Sequence, residues 1–149
     1  MKKLFWVLLV VVIVGAVYWY SQLQQYKQAR VTINDTDFIV DVARSIPQQV
    51  RGLSGRQILE LHRGMLFVYD DEKERGFWMK DMLIPIDIVW IRNREIVGIT
   101  KDVPYPELGV SDSDLPKYFS GVLVDAVLEL QAGASDRFGF YEGMEVIVY

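Results

Sequence analysis

From Leu4 to Tyr20 the chain runs through seventeen residues without one charge or amide, and such a run has few folded solutions. As a helix rising about 1.5 Å per residue it spans about 26 Å, slightly under the about 30 Å of hydrocarbon in a bilayer. It has no polar side to turn to water. Lys2 and Lys3 precede it, and Tyr18, Trp19 and Tyr20 close it, as aromatic rings do at a membrane interface. A cleaved secretory signal begins the same way but needs small residues before the cut, where this chain has the bulky Ala16-Val-Tyr-Trp-Tyr20. The sequence therefore predicts an uncleaved signal anchor. Residues 1–20 are a single transmembrane helix with a short basic cytoplasmic end, residues 21–30 a polar stalk, and residues 31–149 an extracytoplasmic domain.

That domain holds twelve basic and twenty acidic residues, a net charge of −8, which as a whole is expected to repel nucleic acid and anionic lipid heads. Its length suits one compact unit with a core of its own. With no cysteine, disulfide scaffolds, thiolate chemistry and cysteine metal sites are excluded.

The punctuation after residue 30 is that of short strands. Val31-Thr-Ile33 and Phe38-Ile-Val-Asp-Val42 flank a polar turn, and Ser45-Ile-Pro-Gln-Gln-Val-Arg-Gly52 reads as a short helix with a Ser cap and a Gly stop. Met65–Tyr69, Gly76–Lys80, Pro85–Ile91, Glu95–Ile99, Val122–Leu130 and Met144–Val148 are rich in β-branched and aromatic residues. Gly133–Phe138 suggests a turn or two of helix, and residues 103–120, with three prolines, read as one long loop. The fold class is mainly all-β: a compact antiparallel barrel or sandwich with one or two short helices.

Five linked motifs narrow the identity. Arg51-Gly-Leu53 with Arg56, Gly64-Met-Leu-Phe67, Phe77-Trp-Met-Lys80, Ile84-Pro-Ile-Asp87 and Leu128-Glu-Leu-Gln-Ala-Gly133 stand in an order and spacing that resembles domain-of-unknown-function family 192, also called uncharacterised protein family 0127. The resemblance covers nearly all of residues 31–149. It implies a compact β barrel or sandwich behind an N-terminal export signal or anchor, and no enzymatic activity. The family's Phe-Trp-Met-Lys-Asn-Thr reads here Phe77-Trp-Met-Lys-Asp81-Met82.

Chemistry is constrained by what is missing. His62 is the only histidine, too little for a Ser/His catalytic set or a usual zinc site. The acidic stretches Ser111-Asp-Ser-Asp114 and Asp70-Asp-Glu72 offer hard oxygens that calcium could use, but neither matches the EF-hand loop and both read first as solvated acidic loops. With no glycine-rich phosphate cradle either, no metal or cofactor is expected. Asp87 and Glu129 stand out, since each interrupts an apolar strand. Alternation puts Asp87 with Val89 and Ile91, and Glu129 with Leu123 and Val127, on faces expected to be partly wet. A carboxylate there needs a cation or several donors, for which Lys80, Arg51 and Arg56 are candidates. Trp78 beside Lys80 offers a platform for a sugar or peptide.

The candidate ligand-binding residues are thus Trp78, Lys80, Asp87, Glu129, Arg51 and Arg56. The expected role is a non-catalytic module whose partners are the membrane, through the helix, and a small ligand, glycan or envelope protein. Two other roles fit the residues: a hydrolase of envelope polymers using Asp87 and Glu129 as paired carboxylates, and a domain whose motifs serve folding alone.

Overall fold

The computed structural model describes the backbone of residues 2–23, 25–107 and 109–149, with side chains throughout except at 2–5 and 17–23. The predicted hairpin forms from β1 (Lys27–Ile33) and β2 (Thr36–Ala43), with Lys27 opposite Val42 and Ile33 opposite Thr36. Asn34 and Asp35 turn it with φ of 49° and 57°, left-handed positions that Asn and Asp tolerate best among non-glycine residues. Residues 27–30, expected in a stalk, therefore belong to the sheet.

The short helix α2 (Ile46–Arg51) starts where predicted, with Ser45 N–H donating to the Gln48 side chain at 3.1 Å and Gly52 ending it at a φ of 50°. This crossover returns the chain so that β3 (Arg63–Lys73) runs parallel to β2, and the sheet is mixed rather than wholly antiparallel. There follow β4 (Gly76–Trp78), β5 (Ile86–Arg92), β6 (Glu95–Val103), β7 (Lys117–Phe119), β8 (Val124–Gln131), α3 (Ala134–Arg137) and β9 (Ile147–Val148). Strand β7 lies inside the stretch expected to be loop; at three residues it is too short to show a period, and it exists by pairing with β4.

Seven strands form one curled sheet in the order β6-β5-β8-β3-β2-β1-β9, and β4 and β7 form a separate ribbon. The C-terminal segment reaches both edges of the curl. Val146 N–H donates to Arg94 O at 2.8 Å beside β6, while Tyr149 N–H donates to Arg30 O at 2.9 Å on β1. The result is a half-barrel, neither a sandwich nor a regular closed barrel.

Both faces of the sheet are buried. The inner core gathers Val31, Phe38, Val40, Leu66, Val89, Leu128 and Leu130, closed by Phe140 and Val146. The outer core gathers Met65, Phe67, Ile86, Ile88, Trp90 and Val127 under Leu53, Leu59, Met79 and Met82. The second faces expected to be partly wet are thus dry: the Leu53–Leu59 and Met79–Met82 segments cover that of Glu129, and that of Asp87 lies in the inner core. Gly64 sits where β3 and β8 pass closest: a Cβ there would lie 2.5 Å from the Glu129 carbonyl oxygen, so only glycine fits.

At the N-terminus, α1 spans Lys2–Leu23, with side chains described for residues 6–16. Trp6 to Val14 are exposed. No helix among the described residues is long and apolar enough to cross a membrane. The anchor expected over residues 1–20 extends past this stretch at both ends, and the side chains of Lys2, Lys3, Tyr18, Trp19 and Tyr20 lie outside the described residues.

Candidate functional site

Alternation along β8 sends Leu128 and Leu130 into the inner core and Glu129 to the outer face, between Met65 of β3 and Ile88 of β5. Glu129 is 6% exposed, and its Oε2 has no hydrogen-bond partner among the described residues. Burial pushes its carboxyl from the ordinary 4.5 up to about 8, with Arg56 pulling the other way. At neutral pH the group keeps its proton. It is then a neutral acid able to donate as well as accept.

Next in the same row of the sheet, beyond Met65, comes Asp41 of β2. Arg56 Nη2 donates to Asp41 Oδ2 at 2.5 Å, and Gln28 Nε2, from the opposite position on β1, donates to Oδ1 at 3.2 Å. Arg56 is delivered by the turn after α2, which is pinned from two sides. Leu53 is buried as its plug, Ser54 Oγ donates to Lys80 O at 2.8 Å, and Gly55 N–H donates to Asp81 O at 2.8 Å. Asp81 takes a φ of 56°, a left-handed position that Asp and Asn tolerate best among non-glycine residues.

Tyr26 completes the wall. Its hydroxyl donates towards Gln48 O and Gly52 O at 3.3 and 3.4 Å. Burial raises its pKa, opposed by Arg51 and then Arg56, and this places both cations within electrostatic reach of the ring. Tyr26, Arg51, Ser54, Gly55 and Arg56 line a hollow of about 450 Å³. An open polar hollow with two guanidiniums and a neighbouring neutral carboxyl suits an anionic or strongly hydrogen-bonding group.

Of the six predicted residues, Arg51 and Arg56 line this hollow, and Glu129 is buried within electrostatic reach of Arg56 without lining it. Trp78 and Lys80 form a separate surface feature. The Lys80 ammonium lies 5.6 Å from the Trp78 ring centroid and pairs with Asp112 of the long loop. Lys80 reaches the hollow only through its backbone carbonyl. In that loop Tyr118 packs into the outer core, whereas Tyr105 and Phe119 stay exposed.

Asp87 goes elsewhere. It shares its side of β5 with Val89 and Ile91, facing the inner core, and is fully buried. Of the two expected kinds of partner, a cation or several donors, it has the donors, all backbone: Asp102 N–H at 2.9 Å, Gly133 N–H at 3.1 Å and Ser135 N–H at 2.8 Å, with none of Lys80, Arg51 or Arg56 among them. Asp102 stands at a register shift between β5 and β6 with a φ of 53°. The carboxylate takes up the N–H groups that this bulge and the start of α3 leave over. Asp87 and Glu129 thus sit on opposite faces of one sheet and share no cleft.

Asp41 and Tyr26 escaped the sequence reading. Asp41 carried a signal, since it interrupts the apolar strand Phe38-Ile-Val-Asp-Val42 as Asp87 and Glu129 interrupt theirs. Tyr26 carried none, lying in what reads as a stalk. His62 is a surface residue stacked near Phe38 and Phe138, with Nδ1 3.1 Å from Asp37 O. Among the described residues no three carboxylate or histidine groups are placed to hold a metal.

Three comparisons bear on this arrangement. The profile of the family DUF192, "Uncharacterized ACR", matches residues 29–148. A crystal structure from Sinorhizobium meliloti 1021, provisionally described as a transcription regulator, is similar at 26% identity and a TM-score of 0.74, over 83% of this chain and 95% of that one. A protein of unknown function from Novosphingobium aromaticivorans is similar at 25% identity and a TM-score of 0.69, over 82% of this chain and 84% of that one. No curated protein matches.

Proposed function

The chain belongs to the DUF192 family, and within it we propose a membrane-tethered binding module that holds an anionic group of a small ligand, glycan or envelope partner in the hollow at Arg51 and Arg56. The observation that carries this reading is Glu129: a carboxyl more than nine-tenths buried, with one oxygen unpartnered, beside an arginine that lines the hollow. Leaving such an oxygen unpaired costs about 1–3 kcal/mol, a cost that a ligand donor or acceptor removes. Two guanidiniums, of Arg51 and Arg56, stand on the wall of this hollow in a domain of net charge −8. The chemistry is capture: Asp87, the carboxylate expected to pair with Glu129, faces the other side of the sheet, and Asp41 on the near side is tied up by Arg56 and Gln28.

Tethering rests on the apolar run Leu4–Tyr20 and on the outward-facing side chains of Trp6 to Val14, which water solvates poorly on every side of a helix. Lys2 and Lys3 directly abut the start of the run, whereas Lys27 and Arg30 stand several residues beyond its end, and this asymmetry sets the amino terminus in the cytoplasm and the β domain outside.

Thermal melting of the full chain in non-ionic detergent tests the site, with citrate, inorganic phosphate and acetate titrated at constant ionic strength against chloride. At least one oxyanion is expected to raise the Tm saturably, by the equivalent of about 2.7 kcal/mol at a hundred times its Kd. Arg51→Ala should abolish the rise and Trp78→Ala should leave it intact. Equal behaviour of all the anions and chloride, or a rise that survives Arg51→Ala, would refute the assignment.

A further inference from the structure

On the inner side of the sheet, next to the Arg51–Arg56 hollow with which it shares Gln25, the half-barrel opens into a second and larger cavity of about 710 Å³. Leu66, Val68, Ile91, Ala126 and Val146 line it, all belonging to or packed against the inner core. Its rim carries Lys27, Arg44 and Arg94, with Asp125 the one acidic residue among the lining. None of the three cations forms an ion pair among the described residues, although the domain has acidic residues in excess. Asp125 is engaged elsewhere, accepting from Asn93 N–H at 3.0 Å. An apolar interior in the size range of ligand sites, beneath a rim of uncompensated cations, fits a molecule with an oily body and an anionic head. The place of the opening adds a source: Gln25 and Lys27 line it, and α1 ends at Leu23.

We propose that this cavity takes up a single-chain anionic amphiphile from the membrane, a fatty acid or a close relative, with the acyl chain against Leu66, Val68 and Ala126 and the head group at Lys27, Arg44 and Arg94. The chemistry stands on the cavity alone; the membrane as source rests on α1 being the anchor.

The test uses the full chain in phosphatidylcholine nanodiscs with diazirine-bearing fatty acids, the adducts mapped by mass spectrometry. Labelling should fall on the inner wall around Val68 and Ala126. Unlabelled tetradecanoate should compete at least tenfold better than tetradecanol, and each two-carbon shortening should weaken competition roughly tenfold. Simultaneous Lys27→Glu, Arg44→Glu and Arg94→Glu, all at exposed positions, should cut labelling at least tenfold with an unchanged melting curve, while Arg51→Ala should leave it unaltered. Adducts confined to α1, equal competition by the alcohol, or full labelling of the triple variant would overturn the proposal. A chain that stays out of the nanodiscs yet is labelled at the inner wall from solution overturns the anchor and keeps the cavity.

Discussion

Glu129→Gln is expected to flatten the pH dependence of stability between about pH 4.5 and pH 8, and to make the protein more stable than the wild type at the upper end of that window. The folded-state pKa of Glu129 is raised from 4.5 to about 8, chiefly by burial. The folded chain therefore holds a proton that the unfolded chain releases. Its contribution to stability is fully present below about pH 4.5 and is lost as pH rises, until the folded carboxyl ionises near pH 8. The slope is about 1.4 kcal/mol per pH unit at most, which summed over the window is one of the largest single effects this domain offers. Glutamine keeps the shape and has no proton to lose, so the variant should match the wild type near pH 4.5 and gain on it steadily above. Urea midpoints at half-unit pH steps read the difference directly. Two parallel profiles would mean that Glu129 is ionised and partnered in the fold.

The second large effect is at Asp87, and it has the opposite character. Its two oxygens accept three backbone N–H groups, from Asp102, Gly133 and Ser135. Asp87→Asn turns one oxygen into an amide donor facing a donor and removes the charge that strengthens all three bonds. A loss of about 3–5 kcal/mol is expected, with faster hydrogen exchange at the Asp102 and Ser135 amides. Response to oxyanions, per folded molecule, should not change. A variant that folds normally but loses that response would return Asp87 to the binding site.

These two carboxylates also mark what the sequence could and could not tell. Both stood out because an acid amid Ile, Val and Leu is rare, and strand alternation correctly put Asp87 with Val89 and Ile91 and Glu129 with Val127, though Leu123, expected beside Glu129, is exposed before β8 begins. What alternation could not supply was that both faces of the sheet are covered, or on which side each face lies. That depends on the parallel crossover through α2 and on where the Leu53–Leu59 and Met79–Met82 segments come to rest, both set by long-range packing. The hairpin of β1 and β2, the capped α2 and the strands rich in Val and Ile were legible because their signals are local. Strand β7 and the mixed sheet were not, since a three-residue strand has no period and pairing direction is a property of the whole chain. The candidate site was partly legible: Arg51 and Arg56 line one hollow with Glu129 buried in electrostatic reach of Arg56, whereas Lys80 touches it only through its backbone carbonyl and Trp78 stands apart.

The most direct measurement is the titration of the Glu129 carboxyl carbon by isotope-edited NMR, alone and with the oxyanion that stabilises most. The binding account predicts a midpoint near pH 8 in the free protein, moving higher when an anion settles beside the protonated acid. A midpoint near 4.5, or one that no anion moves, would contradict it.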